Sequence, residues 1–187
     1  AYRTVFENQV VVDIETPSEL SFYNLEGESY ANSMQFDFAY ELFDRFDIKL
    51  AYKINDVHTT YKGEDRVAPL TPKNRALVNM AYATNFDKWK FDITWNYIGE
   101  SRIPAHLTES EKLTFGNSDS FYLINTQITK RFRKFDVYLG GENLLSYMQE
   151  NPIIAAAHPD DNAFDASLIY APVMGITIYA GIRYKIK

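Results

Sequence analysis

Alternation with a period of two returns along almost the whole chain, and it constrains the fold more than any other feature. Met34, Phe36, Phe38 and Tyr40 share one parity, with Gln35 and Asp37 on the other. Ile48, Leu50, Tyr52 and Ile54 alternate with Lys49, Ala51, Lys53 and Asn55. The pattern recurs at Val78–Met80–Tyr82, Trp89–Phe91–Ile93–Trp95–Tyr97, Tyr122–Ile124–Ile128, Phe135–Val137–Leu139 and Ile176–Ile178–Ile182–Tyr184–Ile186. Tyr2, Thr4 and Phe6 form a weaker first member, and Leu77 and Leu123 break the rule. A helix would need a period near 3.6, so the chain reads as all-β with about eight strands.

The gaps between these strands alternate in length. Leu42 to Arg45, Asn85 to Lys88 and Arg131 to Lys134 are short. Asp56 to Lys73, Gly99 to Asp119 and Leu144 to Met174 are long, and Asp13 to Ser21 is intermediate. Up-and-down antiparallel strands follow, with all long loops at one end, as in a transmembrane β-barrel. Aromatic residues make up 16% of the 187 residues, and this geometry gives them a place. Phe43, Phe46, Phe86, Trp89, Phe132 and Phe135 sit at the short turns, at one height on successive strands. Tyr61, Trp95, Tyr97, Phe121 and Tyr122 make a second set towards the loop end. Rings at one level form the girdle of a membrane–water interface. A soluble β-barrel or sandwich that binds a lipophile would show the same alternation, because the period does not say which face meets water. That alternative stays open at this level, and so does the choice between eight strands closing alone and a piece of a larger barrel.

Other classes are disfavoured by what the sequence lacks. There are no cysteines, hence no disulfides, thiolate chemistry or cysteine-ligated zinc. The net charge of −6 and the lack of a basic stripe argue against nucleic acid. No apolar run approaches the length of a transmembrane helix. No cationic, apolar-cored leader precedes the first strand, so a leader has been removed or the chain is a piece of something longer. No GxSxG, phosphate loop, HExxH or defensible Ser-His-Asp order is present, and the chain is read as not an enzyme, with no cofactor.

Several segments, in order, resemble the TonB-dependent outer-membrane receptors, with the flavour of those from the Bacteroidetes group. Phe135 to Tyr147, FDVYLGGENLLSY, is similar to their penultimate strand, closed by Asn143-Leu144 with Tyr147. Asn151-Pro152-Ile153-Ile154 and Phe164-Asp165-Ala166-Ser167 follow, and the ending GITIYAGIRYKIK, Gly175 to Lys187, resembles a terminal outer-membrane strand. Upstream, Tyr2 to Val11 and Phe22-Tyr23-Asn24-Leu25 with Tyr30-Ala31-Asn32-Ser33 fit the same family. The chain ends in Ile186 and Lys187 after Tyr184, where the family commonly has a terminal Phe. The resemblance implies that residues 1–187 are the C-terminal part of a 22-stranded antiparallel barrel, with the plug domain absent from this chain. It implies active transport of a scarce nutrient (siderophore, haem, cobalamin, glycan or peptide) in the bacterial outer membrane. The implied partners are the plug, the remaining strands, the TonB-ExbB-ExbD complex acting through the plug, outer-membrane lipid and a surface lipoprotein lid. A self-contained eight-stranded outer-membrane barrel, structural or adhesive, is the alternative.

Candidate ligand contacts lie in the expected extracellular loops. His58, His106 and His158 are the three histidines, and imidazole is the usual haem or metal ligand. Scattered surface histidines on long loops are the plainer reading. The last loop carries an apolar run, Ile153 to Ala157, then Asp160, Asp161 and Asp165, then Leu168, Ile169, Tyr170 and Pro172. It suits either self-packing or a ligand or lid contact, with Tyr170 the candidate. On the polar face, Lys49, Lys53, Arg75, Arg183 and Lys185 mix with Asp37, Asp47, Asp92, Asp136 and Glu142. Such charges suit a hydrated wall or modest ion pairs to a plug.

Overall fold

A computed structural model of the chain describes residues 1–17, 19–107 and 113–186. Within these, thirteen strands form in chain order: β1 (Tyr2–Phe6), β2 (Val10–Asp13), β3 (Ser21–Asn24), β4 (Ser29–Phe43), β5 (Phe46–Tyr61), β6 (Glu64–Val67), β7 (Asn74–Ala83), β8 (Trp89–Ile98), β9 (Arg102–Leu107), β10 (Leu113–Asn117), β11 (Phe121–Arg131), β12 (Phe135–Glu142) and β13 (Thr177–Tyr184). Eight of them make one antiparallel ladder, β1-β4-β5-β7-β8-β11-β12-β13, and these are the eight strands expected from alternation. The other five are additions within the long connections. β2 pairs β3, β9 pairs β10, and β6 folds back on β5. The expected connection Asp56 to Lys73 therefore starts late, because β5 runs on to Tyr61. Residues 108–112 of the Gly99 to Asp119 connection, and Lys187 of the final motif, lie outside the described residues.

The register carries the apolar parity from strand to strand without a slip that would invert it. Phe38 pairs Leu50, Leu50 pairs Val78, Val78 pairs Trp95, Trp95 pairs Ile124, and further along Ile128 pairs Leu139. Antiparallel partners share a face, so one continuous apolar surface spans the ladder. That surface is exposed: Ile178 and Ile182, on the last strand of the ladder, are 72% and 71% accessible, and the polar face carries exposed charges such as Lys49, Arg75 and Arg183. A soluble cup would bury the apolar set. An apolar face this wide needs an apolar partner, and the hydrocarbon of a bilayer supplies one. Strands β7, β8 and β11, of 10, 10 and 11 residues, are long enough to cross a bilayer core. No helix among the described residues is long and apolar enough to do so.

At the short turns the rings form a connected belt. Phe43 stacks on Phe46 with centroids 4.7 Å apart, Phe46 meets Tyr82, Tyr82 stacks on Phe91, and Phe91 stacks on Trp89. Phe132 and Phe135 stack at 4.6 Å on the next turn. Towards the loops, Trp95 and Tyr97 both pack on Tyr122, at 5.3 and 5.2 Å. Tyr61 and Phe121 do not belong to that outer set. Both have the opposite parity and are buried, and Phe121 stacks on Tyr147 of the last loop at 4.7 Å.

On the polar face near β13, two tyrosines lie over glycines of the facing strand. Gly140 pairs Tyr179 and Tyr138 pairs Gly181. A Cβ on either glycine would come within 2.3 Å of the opposing ring. The bare backbone lets each ring lie flat, and Tyr179 reaches across to donate to Gln127 at 3.2 Å.

Candidate functional site

The long connections fold over the polar face at the loop end, and hydrogen bonds fix their arrangement. Asn143, just past β12, has a positive φ of 51°, which asparagine tolerates better than most residues. Its Nδ2 donates to the carbonyls of Tyr147 at 2.8 Å and Met174 at 3.1 Å, and its Oδ1 accepts from the Tyr147 amide at 3.0 Å. One side chain thus clamps the start of the last loop to its end. This gives the Asn-Leu…Tyr motif a physical role.

Gln149 does the same one layer further out. Its Oε1 accepts from the backbone amides of Tyr170 at 2.9 Å and Ala171 at 3.2 Å, while its Nε2 donates to Leu168 at 2.8 Å. The run around Tyr170 is held as if by a strand partner. The apolar run of this loop is partly consumed within it: Ala155, Ala163 and Leu168 are buried, and Ile154 exchanges backbone bonds with Asp165.

A second network ties three connections together through Glu15, whose side chain is 8% exposed. Arg102 of β9 grips this carboxylate with both terminal nitrogens, one of them at 2.9 Å, and donates Nε to the Val67 carbonyl at 2.6 Å. Arg66 of β6 adds a third contact at 3.2 Å. Beside it, Tyr23 donates to the buried Asp13 at 2.8 Å. Burial first, then the hydrogen bond and charge of Asp13, push the Tyr23 phenol up to about 12.

Under the loops lies a cavity of about 620 Å³. Its wall includes Lys53 and Arg75, which are cross-strand partners on the polar face, with Asn96, Leu77 and Leu123 beside them. Tyr170 closes it from above. Leu77 and Leu123 are the two residues that broke the alternation, and each pairs Asn96 from opposite sides. They place an apolar floor within a polar wall. A second cavity of about 530 Å³ lies on the other side of Tyr170, lined by Glu100, Asp119, Tyr147 and Glu150. Burial, then the neighbouring phenol and carboxylates, raise the Tyr170 phenol above its ordinary value; burial, Asp119 and Glu150 do so for Tyr147.

Of the four candidate ligand contacts His58, His106, His158 and Tyr170, Tyr170 alone lines these cavities, with its loop neighbours Ile169 and Pro172 and the polar-face Lys53 and Arg75 beside it. Two histidines are not in loops. His58 lies within β5, stacked on Tyr30 at 5.0 Å and bonded to Asp65 at 2.8 Å. His106 lies within β9, with Nδ1 3.1 Å from the Pro104 carbonyl. The alternation places both histidines in long loops, whereas the backbone groups of those connections find partners in a strand extension and extra hairpins. His158 is in the last loop, where its amide donates to Ala155. Among the described residues no three His, Cys, Asp or Glu side chains gather as a metal site. Sequence reasoning missed Leu77, Leu123 and Gln149; the broken alternation was the available signal for the first two.

No protein-family model matches the sequence, and no curated protein does. Solved structures do. The chain is similar to Pseudomonas aeruginosa FpvA bound to heterologous pyoverdines, with a TM-score of 0.66 and 10% identity, over 97% of this chain and 24% of that one. It is similar to a mutant of the P. aeruginosa ferric enterobactin receptor PfeA, at 0.63 and 11%, over 96% and 27%. The ferric-catecholate import receptor Fiu of E. coli K12 gives 0.61 and 15%, over 98% and 24%. The chain thus spans about a quarter of the length of these receptors. Its fold is that of part of the antiparallel β-barrel wall of these receptors.

Proposed function

We propose that this chain is the C-terminal part of the barrel of a TonB-dependent receptor in the bacterial outer membrane, and that the whole protein imports a scarce nutrient. One observation carries the reading: a lipid-facing eight-strand ladder that matches a quarter of much longer receptors over nearly its full length. In this reading the plug and the remaining strands come from the rest of the protein, and the polar face packs against the plug. TonB-ExbB-ExbD would supply energy through the plug, and a surface lipoprotein would cap the loops. The cavity under Tyr170 is the ligand contact of this segment, with Lys53 and Arg75 offering charge and Leu77 and Leu123 an apolar floor. Siderophore, haem, cobalamin, glycan and peptide are the candidate cargoes.

The test uses the full-length protein. Deleting its gene should abolish uptake of one nutrient in a labelled panel, and restoring it should rescue uptake only in cells with a working TonB. Tyr170→Ala with Arg75→Gln should then raise the half-saturating nutrient concentration without altering the amount of protein in the outer membrane. Recovery from cells without detergent, or rescue without TonB, would refute the proposal. The eight-strand count also equals that of the smallest outer-membrane barrels, which supports a self-contained structural or adhesive barrel as the second reading. Cysteine crosslinking of β1 to β13 within one chain would favour that reading.

A further inference from the structure

The chain is acidic overall, yet its short-turn end collects lysines and arginines. Arg45 of the first turn bonds Asn85, and the others divide into an ion-paired and an unpaired group. Inward, Arg131 and Lys90 share Asp87 at 2.8 and 3.3 Å, and Lys185 and Arg131 flank the buried Asp136 at 3.4 and 3.7 Å. Those pairs occupy both carboxylates. Lys88, Lys130, Arg133 and Lys134 are exposed and have no ion pair among the described residues.

Lys130 is the unusual member. It pairs Trp89 on one side and Val137 on the other, so it lies on the apolar, lipid-facing side of the ladder. Its ammonium sits 4.6 Å from the Trp89 ring centre and 5.3 Å from that of Phe132. Ring faces stabilise a cation but do not neutralise it. Directly above, towards mid-membrane, the same face continues as Phe91, Ile128 and Leu139. Lys88 is tied to this strand, its carbonyl accepting from the Arg131 amide at 2.9 Å, and Arg133 and Lys134 form the next turn. Phe86, at the tip of the neighbouring turn, is 88% exposed.

We propose that this rim is a binding site for an anionic phospholipid of the leaflet at the short turns, resting on the membrane-barrel reading above. The phosphodiester lies against Lys130 with Lys88, Arg133 and Lys134 around it, and the acyl chains run along Ile128 and Leu139. The unneutralised charges select a headgroup with net negative charge over a zwitterionic one, and the adjoining apolar face selects a lipid over free phosphate. Each basic side chain near a charged membrane contributes about fivefold in affinity.

The experiment places the full-length protein in nanodiscs of phosphatidylethanolamine and phosphatidylglycerol in equal parts, extracts it gently, and measures the lipids it retains by native mass spectrometry. The parent should retain phosphatidylglycerol preferentially. Lys130→Gln should reduce that retention about fivefold, Lys130→Arg should restore it, and a variant with all four residues changed to Gln should lose the preference. Lys73→Gln, at the loop end, should leave it unchanged. Equal retention of both phospholipids by the parent, or undiminished preference in the four-residue variant, overturns the site while leaving the barrel reading intact. Displacement of phosphatidylglycerol by lipid A also overturns it, by placing this rim in the other leaflet. A protein that retains neither lipid and leaves cells without detergent overturns the membrane reading and the site together.

Discussion

Replacing Asn143 with alanine should destabilise the protein by about 4 kcal/mol. The side chain makes three hydrogen bonds, two donated to the carbonyls of Tyr147 and Met174 and one accepted from the Tyr147 amide. Each contributes roughly 1 kcal/mol net, and its loss leaves backbone groups unpaired in a site where Asn143 itself is 7% exposed. The φ of 51° adds about 1 kcal/mol for alanine, which lacks the local bonding that asparagine uses there. Glycine removes the same hydrogen bonds but adopts that φ without strain, so Asn143→Gly should cost about 3 kcal/mol. The series thus separates clamp from conformation. The assay is urea unfolding of the full-length protein in lipid vesicles, followed by tryptophan fluorescence. A loss below about 1 kcal/mol for alanine, or a larger loss for glycine than for alanine, would refute the reasoning. In the proposed transport role the same clamp fixes both ends of the last loop, so nutrient affinity should weaken in parallel with stability.

Further outcomes follow from other contacts. Glu15→Ala leaves Arg102 and Arg66 without their shared carboxylate and should cost about 2 kcal/mol, read as faster amide exchange in β2, β6 and β9 together; exchange confined to one connection would contradict the network. Gly140→Ala should push the Tyr179 ring off Gln127 and cost about 1–3 kcal/mol, and Tyr179→Leu in the same chain should recover most of it. The Tyr23 phenol is raised from its ordinary 10 to about 12 in the folded protein, so its contribution is complete below pH 10 and is lost as pH rises through about 12. Proteolysis between β2 and β3 should therefore accelerate across that window, and Tyr23→Phe should flatten the rise.

Much of the architecture is legible in the sequence. Alternation in Met34 to Tyr40 or Trp89 to Tyr97 gives strands because side chains in extended backbone point to opposite faces in turn. The unequal gaps gave the up-and-down order, and the eight ladder strands match those expected. The site was far less legible. Tyr170 stands out in its loop, but nothing local announces Gln149, whose partners are 19 to 22 residues away. Nor could local pattern show that Glu15 meets Arg102 across 87 positions. Tyr61 and Phe121 depart from the sequence expectation because an aromatic near a strand end suits either a lipid belt or a buried stack, and only parity carried through the register separates them.

The sequence by itself determined that the chain forms antiparallel strands with one apolar and one polar parity, short turns at one end and long loops at the other. Those properties are local, set by backbone geometry and the spacing of side chains. Only the tertiary structure decided which parity faces outward, how the loops lock together through Glu15, Asn143 and Gln149, and that Leu77 and Leu123 floor a cavity beneath Tyr170. Period two is the same whether the apolar face meets a protein core or a bilayer. The register joins eight strands so that one parity makes a continuous exposed apolar face, while the loops fold over the other.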